Sequence, residues 1–257
     1  MKRTWTCVLL GLAGCLAAGC FDIEQSLTLE RDLSGKAGFS MSINMEPMVL
    51  FMLQFQRQMA GKTGDATPAE IAQAKQEFLA QKKEKGGGDK MEAQKAELVK
   101  SLPPGIRLLD SKVEDEGLKM KARLSFAFDN VDKLRLIQLP KEKDAKPGAG
   151  NPFEEPFAGL QIVDEGKTLL LTSRTVNPLP TPESTGGPDL APDMKKAVEG
   201  AFQGFKLAWK IATPFEVVET NATRREGKTL YWEYDLPAIE KMSKEQAAIG
   251  IRARFRK

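Results

Sequence analysis

Histidine is absent from the 257 residues of this chain. With it go the commonest general base near neutral pH and the commonest metal ligand. The three cysteines, Cys7, Cys15 and Cys20, all fall within the first twenty residues, so no disulfide framework and no cysteine-rich zinc site runs through the body of the chain. Charge of one sign is also missing, with 38 basic against 35 acidic residues. No basic excess exists to neutralise a phosphate backbone, which argues against nucleic acid as a partner. Three sequence patterns are missing as well: the Asp-x-Asp-x-Asp-Gly calcium loop, the Gly-x-Ser-x-Gly elbow and the Gly-x-Gly-x-x-Gly turn. Together these absences count against zinc enzymes and most hydrolases. Ser-Lys and paired-carboxylate mechanisms need no histidine, but no such cluster stands out, and the expectation is a protein without catalytic residues, cofactor or bound metal.

What is present begins at the N-terminus. Lys2 and Arg3 precede an uncharged apolar run that ends at Leu16-Ala17-Ala18-Gly19-Cys20. A positive start, a short apolar stretch and small residues before a cut mark a secretory signal peptide. A cysteine directly after Ala-Gly is what a lipoprotein pathway modifies: its thiol takes a diacylglyceryl group and its amine becomes the new N-terminus. Residues 1–19 are therefore read as the leader and Cys20 as the lipid attachment site. Leu12-Ala13-Gly14-Cys15 is an alternative, but cutting there leaves only Trp5 to Gly11 as the apolar stretch, the shortest that such signals use. Glycines at 11, 14 and 19 interrupt the run, which barely reaches the ~18 residues of a spanning helix. Two or more acyl chains hold a protein stably on a bilayer. The expected location is the cell envelope, outside the cytoplasm. Where the source has two membranes, Phe21 in place of an aspartate favours the periplasmic face of the outer one.

Beyond the anchor, residues 20–257 are expected to form one α+β domain with a mostly antiparallel, curved sheet and a few packed helices. Leu27 and Leu29, then Ala37, Phe39, Met41 and Ile43, alternate with polar neighbours around a turn at Asp32-Leu33-Ser34-Gly35, which describes a hairpin. Two or three residues are expected between Cys20 and its first strand, which seats the body on the membrane. Pro47 opens Met48–Phe55, a helix apolar nearly all round. It reads either as a core helix on the hairpin or as a methionine-rich wall for an apolar ligand, formed by Met48, Phe51, Met52 and Phe55. Residues 61–105 read as a helical insertion, opened by the Thr67-Pro68-Ala69-Glu70 capping box.

Leu118 to Phe128 alternate without a break, and a short helical piece follows from Val131 to Leu139. Residues 141–156 and 178–190 read as flexible loops. Between and after them come strands at 160–163, 169–176, 205–211, 230–234 and 251–255, with a short amphipathic helix around Met194 to Phe202. About eight strands are expected in all. Glu-Gly-Lys-Thr-Leu occurs at 165–169 and again at 226–230, as recurring hairpin chemistry. A phosphate loop needs glycine where Gln161 and Ala222 stand, so neither copy cradles a phosphate. Glu114, Asp115 and Glu116 read as a solvated turn. Arg252, Arg254 and Arg256 read as the outward face of an edge strand, or as contacts to anionic lipid.

Gly19-Cys20 running straight into a hairpin, with Val217-Val218-Glu219-Thr220-Asn221-Ala222, the Gly227-Lys228-Thr229-Leu230 turn and Trp232 downstream, resembles the LppM-like bacterial lipoproteins. Residues 61–105 are an addition to that pattern. The resemblance implies a membrane-held α+β domain that binds a lipid or glycolipid and has no catalytic residues. The alternative expectation is a structural or assembly lipoprotein that docks an envelope protein complex.

Overall fold

The computed structural model describes residues 20–84, 88–139, 156–157, 159–174, 204–244 and 250–257. The leader, residues 141–155 and 178–190 of the expected loops, and the expected helix at 194–202 lie outside these, while Pro156 is described and buried.

Eleven strands among the described residues form two sheets. The strands are β1 (Cys20–Leu29), β2 (Gly35–Asn44), β3 (Ile106–Glu116), β4 (Lys119–Phe128), β5 (Leu160–Asp164), β6 (Thr168–Arg174), β7 (Lys206–Ala212), β8 (Glu216–Thr220), β9 (Arg224–Glu226), β10 (Thr229–Asp235) and β11 (Gly250–Arg256). The larger sheet runs β3-β4-β2-β1-β7-β10-β9 and the smaller β5-β6-β11-β8. Every strand pairing is antiparallel except β1 with β7. Among the described residues four α-helices join them: α1 (Glu46–Met59), α2 (Pro68–Glu84), α3 (Gly88–Ser101) and α4 (Leu236–Lys244), with a 3-10 turn at Val131–Leu136. The α+β architecture with a mostly antiparallel, open sheet matches the alternation in the sequence.

The inward positions of both sheets share one core. Trp209, Ile211, Trp232 and Phe126 come from the larger sheet; Leu169, Leu171, Ala253 and Phe255 come from the smaller. Burying such side chains contributes about 1.5–3 kcal/mol each. The outer face of the larger sheet is mostly polar, with Glu24, Ser26, Ser40, Arg123 and Lys210 at positions that alternate with the core. Both Glu-Gly-Lys-Thr-Leu copies are hairpin turns, β5–β6 and β9–β10, and Gly166 and Gly227 adopt φ of 83° and 60°, where a side chain is disfavoured.

Two expectations need correction. The first strand does not wait two or three residues after Cys20: the β1–β2 ladder begins with Cys20 opposite Asn44. The last strand is not an edge. β11 lies between β6 and β8, where Arg254 reaches Glu165 and Glu219, and Arg256 reaches Glu216 at 2.8 Å. The outward arginines are matched by glutamates on neighbouring hairpins.

Candidate functional site

Cys20 opens β1, which sits inside the larger sheet between β2 and β7. Its backbone is thus part of the folded body from the first rung. Asn44, its partner, accepts the Glu46 N–H on Oδ1 at 3.1 Å, which fixes the exit from β2 into α1.

The apolar wall expected at Met48, Phe51, Met52 and Phe55 lies on α1. Met48 and Phe51 are buried, and Met52 and Phe55 are half-buried. The helix packs chiefly on α2 rather than between the sheets. Arg57 donates to Glu70 at 2.5 Å, and Lys75 pairs with Glu46. At 100° per residue, Glu46 and Arg57 share one face of α1, while Met48, Met52, Phe55 and Met59 share the opposite one. The capping box forms as its spacing implies: Thr67 N–H donates to Glu70 Oε2 at 2.9 Å and Glu70 N–H to Thr67 Oγ1 at 3.3 Å. That backbone bond, with the Thr67 hydroxyl, Lys62 and Arg57, pulls the Glu70 carboxyl down to about 2.

Among the described residues one groove lies beside α3 and another on the larger sheet, and the α1 residues line neither. The first, of about 380 Å³, runs between α3 and β3 past Lys95, Val99, Leu102, Arg107, Leu108 and Leu109. A register slip between Leu108 and Asp110 drops Leu109 from the β3–β4 ladder and leaves it 42 % exposed. Val99 on α3 is 51 % exposed. Sequence reading missed this groove; the adjacent pair Leu108-Leu109, which breaks the strand alternation, was the available signal. The second groove, of about 260 Å³, is a shallow polar trough on the outer face of the larger sheet. It passes over Ser26, Gly38 and Ser125, where a Cβ on Gly38 would stand 2.4 Å from the Ser26 hydroxyl oxygen.

Displaced carboxylates have local structural causes. Lys82 holds Asp115 below its usual range through a 2.6 Å bond, Lys112 does the same for Glu114, and Lys257 for Asp164. Arg254 lowers Glu165 and is itself raised by it. Burial raises Tyr234. Among the described residues no group of three acidic or thiol side chains is placed to hold a metal ion. Among them, too, no helix is long and apolar enough to cross a membrane.

Two of the residues that carried the family resemblance, Asn221 and Trp232, meet in space. Asn221 Oδ1 accepts from Trp232 Nε1 at 2.7 Å and from the Arg252 N–H at 2.7 Å, and Asn221 Nδ2 donates to the Gly250 carbonyl at 3.2 Å. Trp232 belongs to the larger sheet and Arg252 to the smaller, so one side chain ties the two together.

No protein-family model matches the chain. No curated protein matches it either. Among solved structures, the chain is similar to the folded domain of LppM from Mycobacterium tuberculosis, determined by NMR. The TM-score is 0.43 and the identity 12%, over 93% of this chain and 90% of that one.

Proposed function

We propose that this chain is a non-catalytic lipoprotein of the LppM-like kind, held outside the cytoplasm by acyl groups on Cys20, and that it binds a lipid or lipid-like molecule. The observation that carries the reading is the lipobox Leu16-Ala17-Ala18-Gly19-Cys20. The residue it would acylate is also the first residue of a strand inside the larger sheet.

The α3–β3 groove supports the ligand half of the proposal. Its volume of about 380 Å³ suits an acyl chain or a small glycolipid fragment. Val99, Leu102, Leu108 and Leu109 offer apolar contact, while Lys95 and Arg107 offer charge to an anionic headgroup. This replaces α1 as the favoured ligand wall, because Met48, Phe51, Met52 and Phe55 do not line that groove.

Lipidated protein drawn from its own membrane into mild detergent, then sprayed under native conditions into a mass spectrometer, tests the reading. A bound lipid that is lost in Leu109→Asp supports it. A stoichiometric protein partner instead favours the assembly role, to which the exposed Leu109 and Val113 on edge strand β3 also lend themselves.

A further inference from the structure

The helices α1 and α2 form an antiparallel hairpin whose two roots lie at one end of the larger sheet. At the α1 root, the Met45 N–H donates to the Leu118 carbonyl at 2.7 Å. At the α2 root, Lys82 Nζ donates to Asp115 Oδ1 at 2.6 Å and to the Gly117 carbonyl at 2.7 Å. Gly117 and Leu118 form the β3–β4 turn, and that turn is at the same end of the sheet as Cys20, since Lys119 pairs with Asn44 and Asn44 with Cys20. Between its roots the hairpin packs chiefly on itself.

From this placement we infer that the α1–α2 hairpin is a second membrane contact, with Met52, Phe55 and Met59 toward the tip of α1 lying against the leaflet that carries the lipid on Cys20. The inference rests on the acylation of Cys20 proposed above. No linker separates the acylated residue from the sheet, so the end of the sheet that holds the hairpin roots is the end that meets the headgroups. α2 pairs with the Glu46–Arg57 face of α1; the opposite face is buried at its root, at Met48 and Phe51, and opens only toward the tip. Exposure of the stripe rises from root to tip: Met48 is buried, Met52 and Phe55 are half-buried, and Met59 is 70 % exposed. Such a stripe of long, flexible apolar side chains suits the boundary between headgroups and acyl chains.

Charge does not drive the contact. Residues 46–84 carry as many acids (Glu46, Asp65, Glu70, Glu77, Glu84) as bases (Arg57, Lys62, Lys75, Lys82, Lys83). Zwitterionic bilayers should therefore serve as well as anionic ones, and added salt should change little.

The mature chain offers a clean test. Cys7 and Cys15 leave with the leader and the Cys20 thiol is consumed by its lipid, so a substituted cysteine is the only free thiol. Full-length Met59→Cys and Arg31→Cys are each expressed with the native leader and fed radiolabelled palmitate. The free thiol is spin-labelled and the protein is reconstituted in phosphatidylcholine vesicles. Arg31 lies in the β1–β2 turn at the far end of a ten-residue strand, about 30 Å from Cys20. The expected result is palmitate on both variants, a label at 59 relaxed several-fold more by oxygen than by a water-soluble nickel chelate, and the reverse at 31. Palmitate on the protein with chelate access at 59 equal to that at 31 overturns the hairpin contact and leaves the anchor standing. No palmitate on either variant overturns the anchor, and the contact with it.

Discussion

Cys20 and Asn44 face each other on the first rung of the β1–β2 ladder, and Asn44 Oδ1 accepts the N–H of Glu46, the residue that opens α1. The expected site of acylation and the start of the helical hairpin are thereby neighbours in one sheet, although they are far apart in sequence. The proposed acylation site and the hairpin root are positioned by the same pair of strands.

Removing the Cys20 thiol should release the protein. In Cys20→Ser no thioether can form, so no acyl label should appear on the chain and it should leave the membrane fraction. The folded body should persist, because the β1–β2 ladder is made by backbone groups that serine also supplies. Fractionation with far-UV circular dichroism of the soluble material checks both halves.

Asn221→Ala should lower the melting temperature. The substitution takes the partner from the indole N–H of fully buried Trp232 and breaks one of the side-chain links between the sheets. A buried donor left unpaired costs about 1–3 kcal/mol, so a loss of about 2 kcal/mol and roughly 4–8 °C is expected for a domain of this size. Asn221→Asp keeps the acceptor and should lose less. Thermal denaturation followed by tryptophan fluorescence reads both variants.

The strands with clean alternation were legible in the sequence, and those without it were not. β2 and β4 place Ala37, Phe39 and Ile43, then Phe126 and Phe128, on one face, as a period of two requires. β3 escaped because the slip at Leu108/Asp110 shifts its inward set midway. β8 buries only Val217, and β9 buries none of its residues, so neither carries a hydrophobic period. The parallel pairing of Gln25 with Trp209 in β1 and β7 joins segments nearly the length of the domain apart, and nothing local encodes it. For the site, Cys20 was legible from its leader. The α3–β3 groove was not, because it depends on how a helix sits against a bulged edge.

Gln25→Leu should stabilise the fold. Gln25 is 7 % exposed and Trp209 2 %, and they are direct cross-strand partners in the core. Among the described residues neither Gln25 Oε1 nor Trp209 Nε1 has a hydrogen-bond partner. Replacing a buried, unpaired polar group by an apolar one of similar size should gain about 1 kcal/mol, or roughly 2–4 °C in melting temperature. A fall in melting temperature contradicts this account of the pair.

Acid should loosen the helical hairpin late. Glu70, whose carboxyl is pulled from 4.5 to about 2, is bound in its charged form in the folded hairpin. A depressed acid stabilises the fold above its unfolded value and loses that contribution as pH falls through the folded one. The Thr67, Lys62 and Arg57 contacts should therefore hold at pH 5 and be lost between about 4.5 and 2. A carbon-detected titration of the Glu70 carboxyl with a midpoint near 4.5 contradicts the capping geometry. Glu70→Gln should remove that step from the pH profile of α1–α2 hydrogen exchange.

The most direct test of the anchored state is the intact mass of the mature protein taken from its own membrane, with the modified residue located by fragmentation. The account predicts a chain that has lost residues 1–19 and begins with an acylated Cys20. A chain that keeps its leader, begins at Cys15, or carries an unmodified Cys20 contradicts it.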